Sequence, residues 1–326
     1  MKCYLYSNIL LSLFVFHAQY CPGQDAVFSQ PYNTPLYLNP GYAGSTEYAR
    51  VFMAYRNQWP TLGNAFNTYS VSYDQNVDLL HGGTGITLMN DRQGDGTMNR
   101  LEASLIYSYA LAVNKELSFN AGFQAGVLHL SFNTSDLIFE DMLRNGSMST
   151  EENINPGSFI VPDFGFGILG AWRDVYFGAS VDHLTRPDIT FNNNNPNPLY
   201  RKYTLHAGSN IELVDPWLST TNLILSPNIL YMHQGSGNLI MYGTYFSREP
   251  FYLGAWIRQN LSFHLNHAVL TGGIKFPYFK IGYSYDFSVK SEFFFPNFGA
   301  HEVTFQMNFE YKEKRKKIRA IKCPKI

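Results

Sequence analysis

Apolar and polar residues alternate over about ten positions at a time in this chain, a pattern that fits only an extended strand with one greasy and one polar face. In "FKIGYSYDF" (279–287), Phe279, Ile281, Tyr283, Tyr285 and Phe287 fall on one face, and Lys280, Gly282, Ser284 and Asp286 on the other. "HEVTFQMNFEY" (301–311) sets Val303, Phe305, Met307, Phe309 and Tyr311 against Glu302, Thr304, Gln306, Asn308 and Glu310. "RLEASLIYSYAL" (100–111) gives Leu101, Ala103, Leu105, Tyr107, Tyr109 and Leu111 to its apolar face. The first such segment begins near Ala49, with Val51, Met53 and Tyr55 on one side and Phe52, Ala54 and Arg56 on the other.

An exported β-sandwich would also alternate, but its strands are usually about five or six residues. Strands twice that length suit a membrane-spanning barrel. Export itself is read from residues 1–23, where Lys2, an apolar stretch around Ile9 to Phe16 and the small Gly23 outline a cleavable signal peptide. Eight apolar residues are too few for a spanning helix, which needs about 20. A lipid-bearing Cys21 is the other reading of this leader, opposed by the bulky Tyr20 before it. Cys3 and Cys21 leave with the leader, so Cys323 alone remains and no disulfide forms within one chain. Aromatic residues are 16% and charged residues 15% of the chain, a balance that suits strands facing lipid.

The expected fold is all-β, a transmembrane antiparallel β-barrel of the outer membrane with about 14 strands. They are placed at 49–57, 66–76, 83–92, 99–112, 116–132, 161–171, 174–183, 201–213, 220–233, 238–247, 250–259, 267–276, 278–288 and 300–311. The connections support this order. Turns on the side of both termini are short, as at 113–116, 172–174, 247–250 and 277–278, while the longest connections, 133–160 and 184–200, fall on the other side. In such barrels the short turns are periplasmic, so both termini are expected there. The domain reading is a leader (1–23), a periplasmic lead-in segment (24–48), the barrel (49–311) and a basic periplasmic tail (312–326).

The tail carries eight Lys or Arg and one Glu; removing these and Lys2 from 24 basic and 25 acidic residues leaves 15 and 24. The body is therefore acidic and the tail basic, which fits either a solubilising stub near anionic lipid or a docking peptide for an acidic partner. Net charge is −1, with no bulk field for nucleic acid. No catalytic, cofactor or metal motif emerges. His264 and His267 lack a third ligand nearby, Ser262 and His264 lack a nucleophile motif, and "NDRQGDG" (90–96) reads as a turn between the third and fourth strands.

"QDAVFSQPYNTPLYLNPGYAGS" (24–45) followed by "AYRNQWP" (54–60) resembles the start of the mature PorP/SprF proteins, outer-membrane components of type IX secretion and gliding motility in Bacteroidetes. "NDRQGDG", "PDFGFGI" (162–168), "YFGASVDHLTRP" (176–187), "HEVTF" (301–305) and a basic end closing on "CPKI" continue the resemblance along the mature chain. Pro31 and Tyr32 depart from the pair more usual there, and Ile326 replaces a frequent Phe.

The resemblance implies an outer-membrane subunit needed for export or surface attachment of cargo bearing a type IX C-terminal signal domain, including adhesins. It implies contact with periplasmic lipoprotein and peptidoglycan-linked subunits and with membrane lipid, and no enzyme activity or cofactor. The motif residues carried over are Asn39, Pro40, Tyr42, Ala43 and Gly44 in a turn leading into strand one, and Arg56, Gln58 and Trp59 at its end, with Trp59 in the aromatic belt. His183 and Pro187, His301 and Glu302 opening the last strand, and Cys323 and Pro324 complete the set, each with a structural or a partner-contact role. The alternative reading of the same architecture is a passive channel for small or hydrophobic solutes; a barrel-embedded hydrolase would need Ser262 and His264 in hydrogen-bond contact.

Overall fold

The computed structural model describes residues 25–62, 66–114, 116–134, 137–146, 157–191, 196–213, 223–261, 265–289 and 299–309. The leader, the basic tail with Cys323 and Pro324, and Ser262 and His264 lie outside the described residues.

Fourteen strands among the described residues close into one antiparallel ring. They are β1 (Ala49–Gln58), β2 (Phe66–Val77), β3 (Gly82–Gln93), β4 (Met98–Ala112), β5 (Leu117–Phe132), β6 (Gly157–Trp172) and β7 (Val175–Asp182). There follow β8, in two segments (Lys202–Ser209 and Ile211–Leu213), β9 (Leu223–Gln234), β10 (Gly237–Arg248), β11 (Phe251–Gln259), β12 (Leu265–Lys275), β13 (Phe279–Ser288) and β14 (Ala300–Phe309). Each strand pairs with the next in sequence, and β14 returns to β1 in register from Ala49↔Phe309 to Gln58↔Ala300. Closure removes every sheet edge that lipid could not satisfy. No helix among the described residues is long and apolar enough to cross a membrane.

The two faces are inverted relative to a water-soluble protein. Outward-facing Leu105 (66% exposed), Leu253 (64%) and Leu270 (56%) lie bare. Their inward neighbours Ser104, Glu102, Thr271 and Ser284 are buried. A continuous apolar belt of this kind is far larger than the patches soluble monomers leave in water, and lipid is its natural cover.

The strand expected as 201–213 is interrupted at Asn210. The partners on β9 run Asn228↔Gly208 on one side of the break and Leu225↔Ile211 on the other. Pro227, which has no N–H to offer, therefore falls opposite Ser209, and Ser226 opposite Asn210, where its hydroxyl donates to the Asn210 Oδ1 at 2.8 Å. Pro162 in β6 is tolerated for a related reason: β7 pairs with β6 only from Phe166 onward. Of the stretch 90–96 expected as a turn, Asn90–Gln93 extend β3, and the turn itself is made by Gly94, Asp95 and Gly96, all at positive φ.

The described part of the connection 184–200 folds back over the barrel mouth. Ile189, Phe191 and Leu199 turn inward onto Leu128, Leu130, Phe159 and Val161, while Pro187, itself buried, accepts from Leu199 N at 2.8 Å. Its polar outer part is tied by Asp188, which accepts from the Thr190 hydroxyl and from the backbone N–H of Asn197 and Thr190. These bonds hold its carboxyl below the usual carboxylate range.

Replacing Leu105, at the middle of the lipid face of β4, by Arg is expected to destabilise the inserted barrel by about 2–4 kcal/mol, whereas Val113→Lys beyond the end of the same strand costs about 0–1 kcal/mol. Heat-modifiable gel mobility of the two variants across a urea series measures the difference.

Candidate functional site

Residues 25–45 do not stand outside the barrel as part of a periplasmic lead-in; only Glu47 and Tyr48, just before β1, are exposed. The segment runs through the barrel interior, from the end of the long connections to the end where β1 begins, and nearly all of residues 25–45 are buried. The lumen is plugged by the chain's own N-terminal segment.

Local chemistry explains the path. Pro35–Leu38 forms one helical turn and Pro40–Tyr42 a tighter one, each started by a proline whose fixed φ suits the first helical position. Asn39 caps the second, its Oδ1 accepting from Gly41 N at 2.8 Å, while its Nδ2 donates to the carbonyls of Ile168 (3.0 Å) and Ala179 (3.2 Å) on β6 and β7. The motif Asn39-Pro40-Gly41-Tyr42-Ala43-Gly44 thus lies against the inner wall. Gly44 adopts φ +61, and a Cβ there would fall 2.4 Å from Gly83 Cα on β3. On β5, a Cβ on Gly122 would fall 2.3 Å from the Pro40 carbonyl carbon, so this wall position must lack a side chain for the plug to pass.

Apolar contacts fill the middle. Tyr32, Leu36, Leu38, Tyr42 and Ala43 form one cluster with wall residues that include Ile106, Leu169, Leu230, Met241, Trp256 and Val269. Tyr32 stacks on Trp256 at 5.8 Å, and Tyr42 on His206 at 5.5 Å.

Charges fasten the ends. At the long-loop end Asp25 receives Arg100 (2.7 Å), His183 Nε2 (2.8 Å) and Lys202 (3.3 Å). His183 Nδ1 donates to Asp163 at 2.9 Å, an arrangement with carboxylates on both ring nitrogens that only the doubly protonated imidazole completes. Beside it, Glu302 accepts from the backbone N–H of Ser29 (2.6 Å) and Gln30 (2.9 Å). Arg56 bridges the Ser29 hydroxyl, Asp286 (3.1 Å) and Glu302 (3.7 Å), and Arg258 reaches Asp286 at 2.8 Å. At the terminal end Arg50 makes a two-point contact with Asp74 (3.0 and 2.6 Å), and Asp74 also accepts from Gly44 N at 2.7 Å. Ion pairs this deep repay desolvation only when both partners are present, so loss of one partner costs about 3–5 kcal/mol.

The motif residues therefore divide. Asn39, Pro40, Tyr42, Ala43, Gly44, Arg56, His183 and Glu302 converge on the plug. Gln58 accepts from Arg56 at 3.3 Å at the rim. Trp59 does not take the belt position expected of it: it lies past the end of β1 at φ 57 and packs edge-on against Phe66, which shares its face of β2 with lumenal Thr68. His301 faces the other way from Glu302, its Nδ1 2.7 Å from the Tyr283 hydroxyl. Sequence reasoning missed Asp25, Ser29, Arg50, Asp74, Arg100 and Lys202. An available signal was glycine at inward strand positions, which marks close approach of another backbone.

Glu302→Gln is expected to loosen residues 26–30 without unfolding the ring, since it leaves Arg56 short of a carboxylate and weakens two backbone contacts. In a Cys323→Ser background, a cysteine at Val27 should react with a water-soluble maleimide at least about tenfold faster in the Glu302→Gln variant, as a loss of 1.4 kcal/mol implies.

Comparison with solved structures finds membrane channels. The monoaromatic hydrocarbon channel CymD aligns at 11% identity over 89% of this chain and 95% of its own, with TM-score 0.47. A deletion mutant of the monoaromatic hydrocarbon channel TodX aligns at 9% over 86% and 94%, TM-score 0.47. A mutant Rh. blastica porin aligns at 7% over 80% and 99%, TM-score 0.35. No curated protein matches. A family model described as type IX secretion system membrane protein PorP/SprF matches residues 21–307, and the chain belongs to that family.

Proposed function

We propose that this protein is an accessory and anchoring subunit of type IX secretion, seated in the outer membrane with both termini periplasmic. It serves export or surface attachment of a cargo protein bearing a type IX C-terminal signal domain, works through protein contacts and catalyses nothing. Family membership supports the secretion role. The observation that carries the anchoring role is the plug: residues 25–45 occupy the lumen and are fastened at one end by buried ion pairs to Asp25 and at the other by hydrogen bonds from Gly44 N to Asp74 and from Arg50 to the Tyr42 carbonyl, so this barrel offers surfaces to partners where a solute channel would offer a path. The long connections at one end suit contact with cargo, and the basic tail suits periplasmic lipoprotein and peptidoglycan-linked subunits.

Affinity purification of a tagged protein from outer membranes of secreting cells is expected to bring down one surface-exposed cargo together with periplasmic subunits, and removal of residues 312–326 should reduce the periplasmic subunits while the barrel stays inserted. Recovery of the barrel alone, combined with steady single-channel conductance in planar bilayers, would instead assign it to the passive channels.

A further inference from the structure

A cavity of about 240 Å³ remains at the long-loop mouth, between the inner wall and the inturned connection. Most of its lining surface is apolar, from Met98, Leu130, Ile189, Phe191 and Leu199, and its charged groups are Asp91 and Arg100. A dry cavity of about 150 Å³ already admits benzene, so this one has room for a ring and a short arm.

Asp91 sits opposite Arg100 across β3 and β4, the position of an ordinary cross-strand ion pair. That pair does not form. The plug draws the Arg100 guanidinium to Asp25 at 2.7 Å, and Glu102 lies 3.5 Å from it. Asp91, 7% exposed, is left with two neutral donors, the Thr68 hydroxyl and the Gln93 amide, each at 2.7 Å, and with no cationic partner among the described residues. The wider cluster has the same imbalance: Asp25, Asp91, Glu102, Asp163 and Asp182 face Arg100, Lys202 and His183. A buried carboxylate with no counter-charge, lining a cavity with greasy walls, is complementary to an apolar group carrying one positive charge.

We propose that this cavity is a binding site for a primary ammonium on an apolar stem, with Asp91 as the anionic partner and Phe191, Ile189 and Leu199 holding the stem. Such a group exists as a free alkyl- or arylammonium ion and as a lysine side chain of a peptide. The site does not rest on the secretion role and stands or falls separately from it.

Isothermal titration of the full-length barrel in detergent tests it. The probes are 2-phenylethylammonium, its uncharged counterpart 2-phenylethanol, the anion phenylacetate, and N-acetyl-lysine amide as the peptide-borne form. One of the two ammonium probes is expected to bind saturably at one site, at least about tenfold tighter than the alcohol, with phenylacetate weakest. Asp91→Asn should bring the ammonium down to the level of the alcohol and leave the alcohol unchanged. Tighter binding of 2-phenylethylammonium identifies a free cation as the occupant, and tighter binding of the lysine amide a basic peptide side chain. Equal binding of the ammonium and the alcohol to the unmodified protein overturns the proposal, as does failure of both ammonium probes to saturate. Unaltered ammonium binding by a folded Asp91→Asn barrel does the same.

Discussion

In hydrocarbon no water is available to hydrogen-bond a free N–H or C=O, and the rest of this structure follows from that constraint. A sheet meets it only by closing, which β14 does by pairing along the whole of β1. Closing a two-faced sheet with its apolar side toward lipid forces the polar side inward, so Glu102, Asp74, Asp286 and Glu302 end up in the lumen. Buried carboxylates require partners. The N-terminal segment supplies some of them, in the backbone N–H groups of Ser29, Gln30 and Gly44, and the neighbouring arginines and lysine supply the remainder.

The plug is thus an answer to an electrostatic problem at the two ends of the lumen and a packing problem in its middle. Leu169, Leu230, Met241 and Val269 point inward, where a water-filled pore would have polar groups, and Tyr32, Leu36 and Tyr42 cover them. Lys280, deep in the wall, donates to Asn33 at 2.6 Å and lies 4.6 Å from the centre of the Tyr252 ring. Contacts of all three kinds, ionic, apolar and amide, tie one short segment to most of the circumference, as expected of a structural element more than of a loose lid.

How much of this was legible in the sequence differs by element. The ring was legible because strand alternation is a local property: Leu101, Leu105 and Tyr109 point outward whatever the other strands do. The break in β8 was not, since it depends on Pro227 of another strand falling opposite Ser209, next to Asn210. The plug was hidden for a different reason. Residues 31–44 are rich in Pro, Gly and Asn and read as turn chemistry, which they are; nothing in their own spacing says that the turns lie inside a barrel. The trace was on the wall, in inward glycines such as Gly83, Gly122 and Gly167 and in inward Ile106, Leu169 and Trp256, where alternation gave apolar residues to the polar face. Arg56 and Glu302 were picked out by resemblance, and only the structure joins them through Ser29.

Hydrogen exchange of the barrel in detergent micelles, resolved by peptide, tests the central claim most directly. If the N-terminal segment is an integral part of the folded lumen, the amides of residues 28–43 exchange as slowly as those of β4 and β5 and are released only when the ring itself opens. Exchange of those residues within seconds, at the rate of an exposed connection and with the strands still protected, would contradict it.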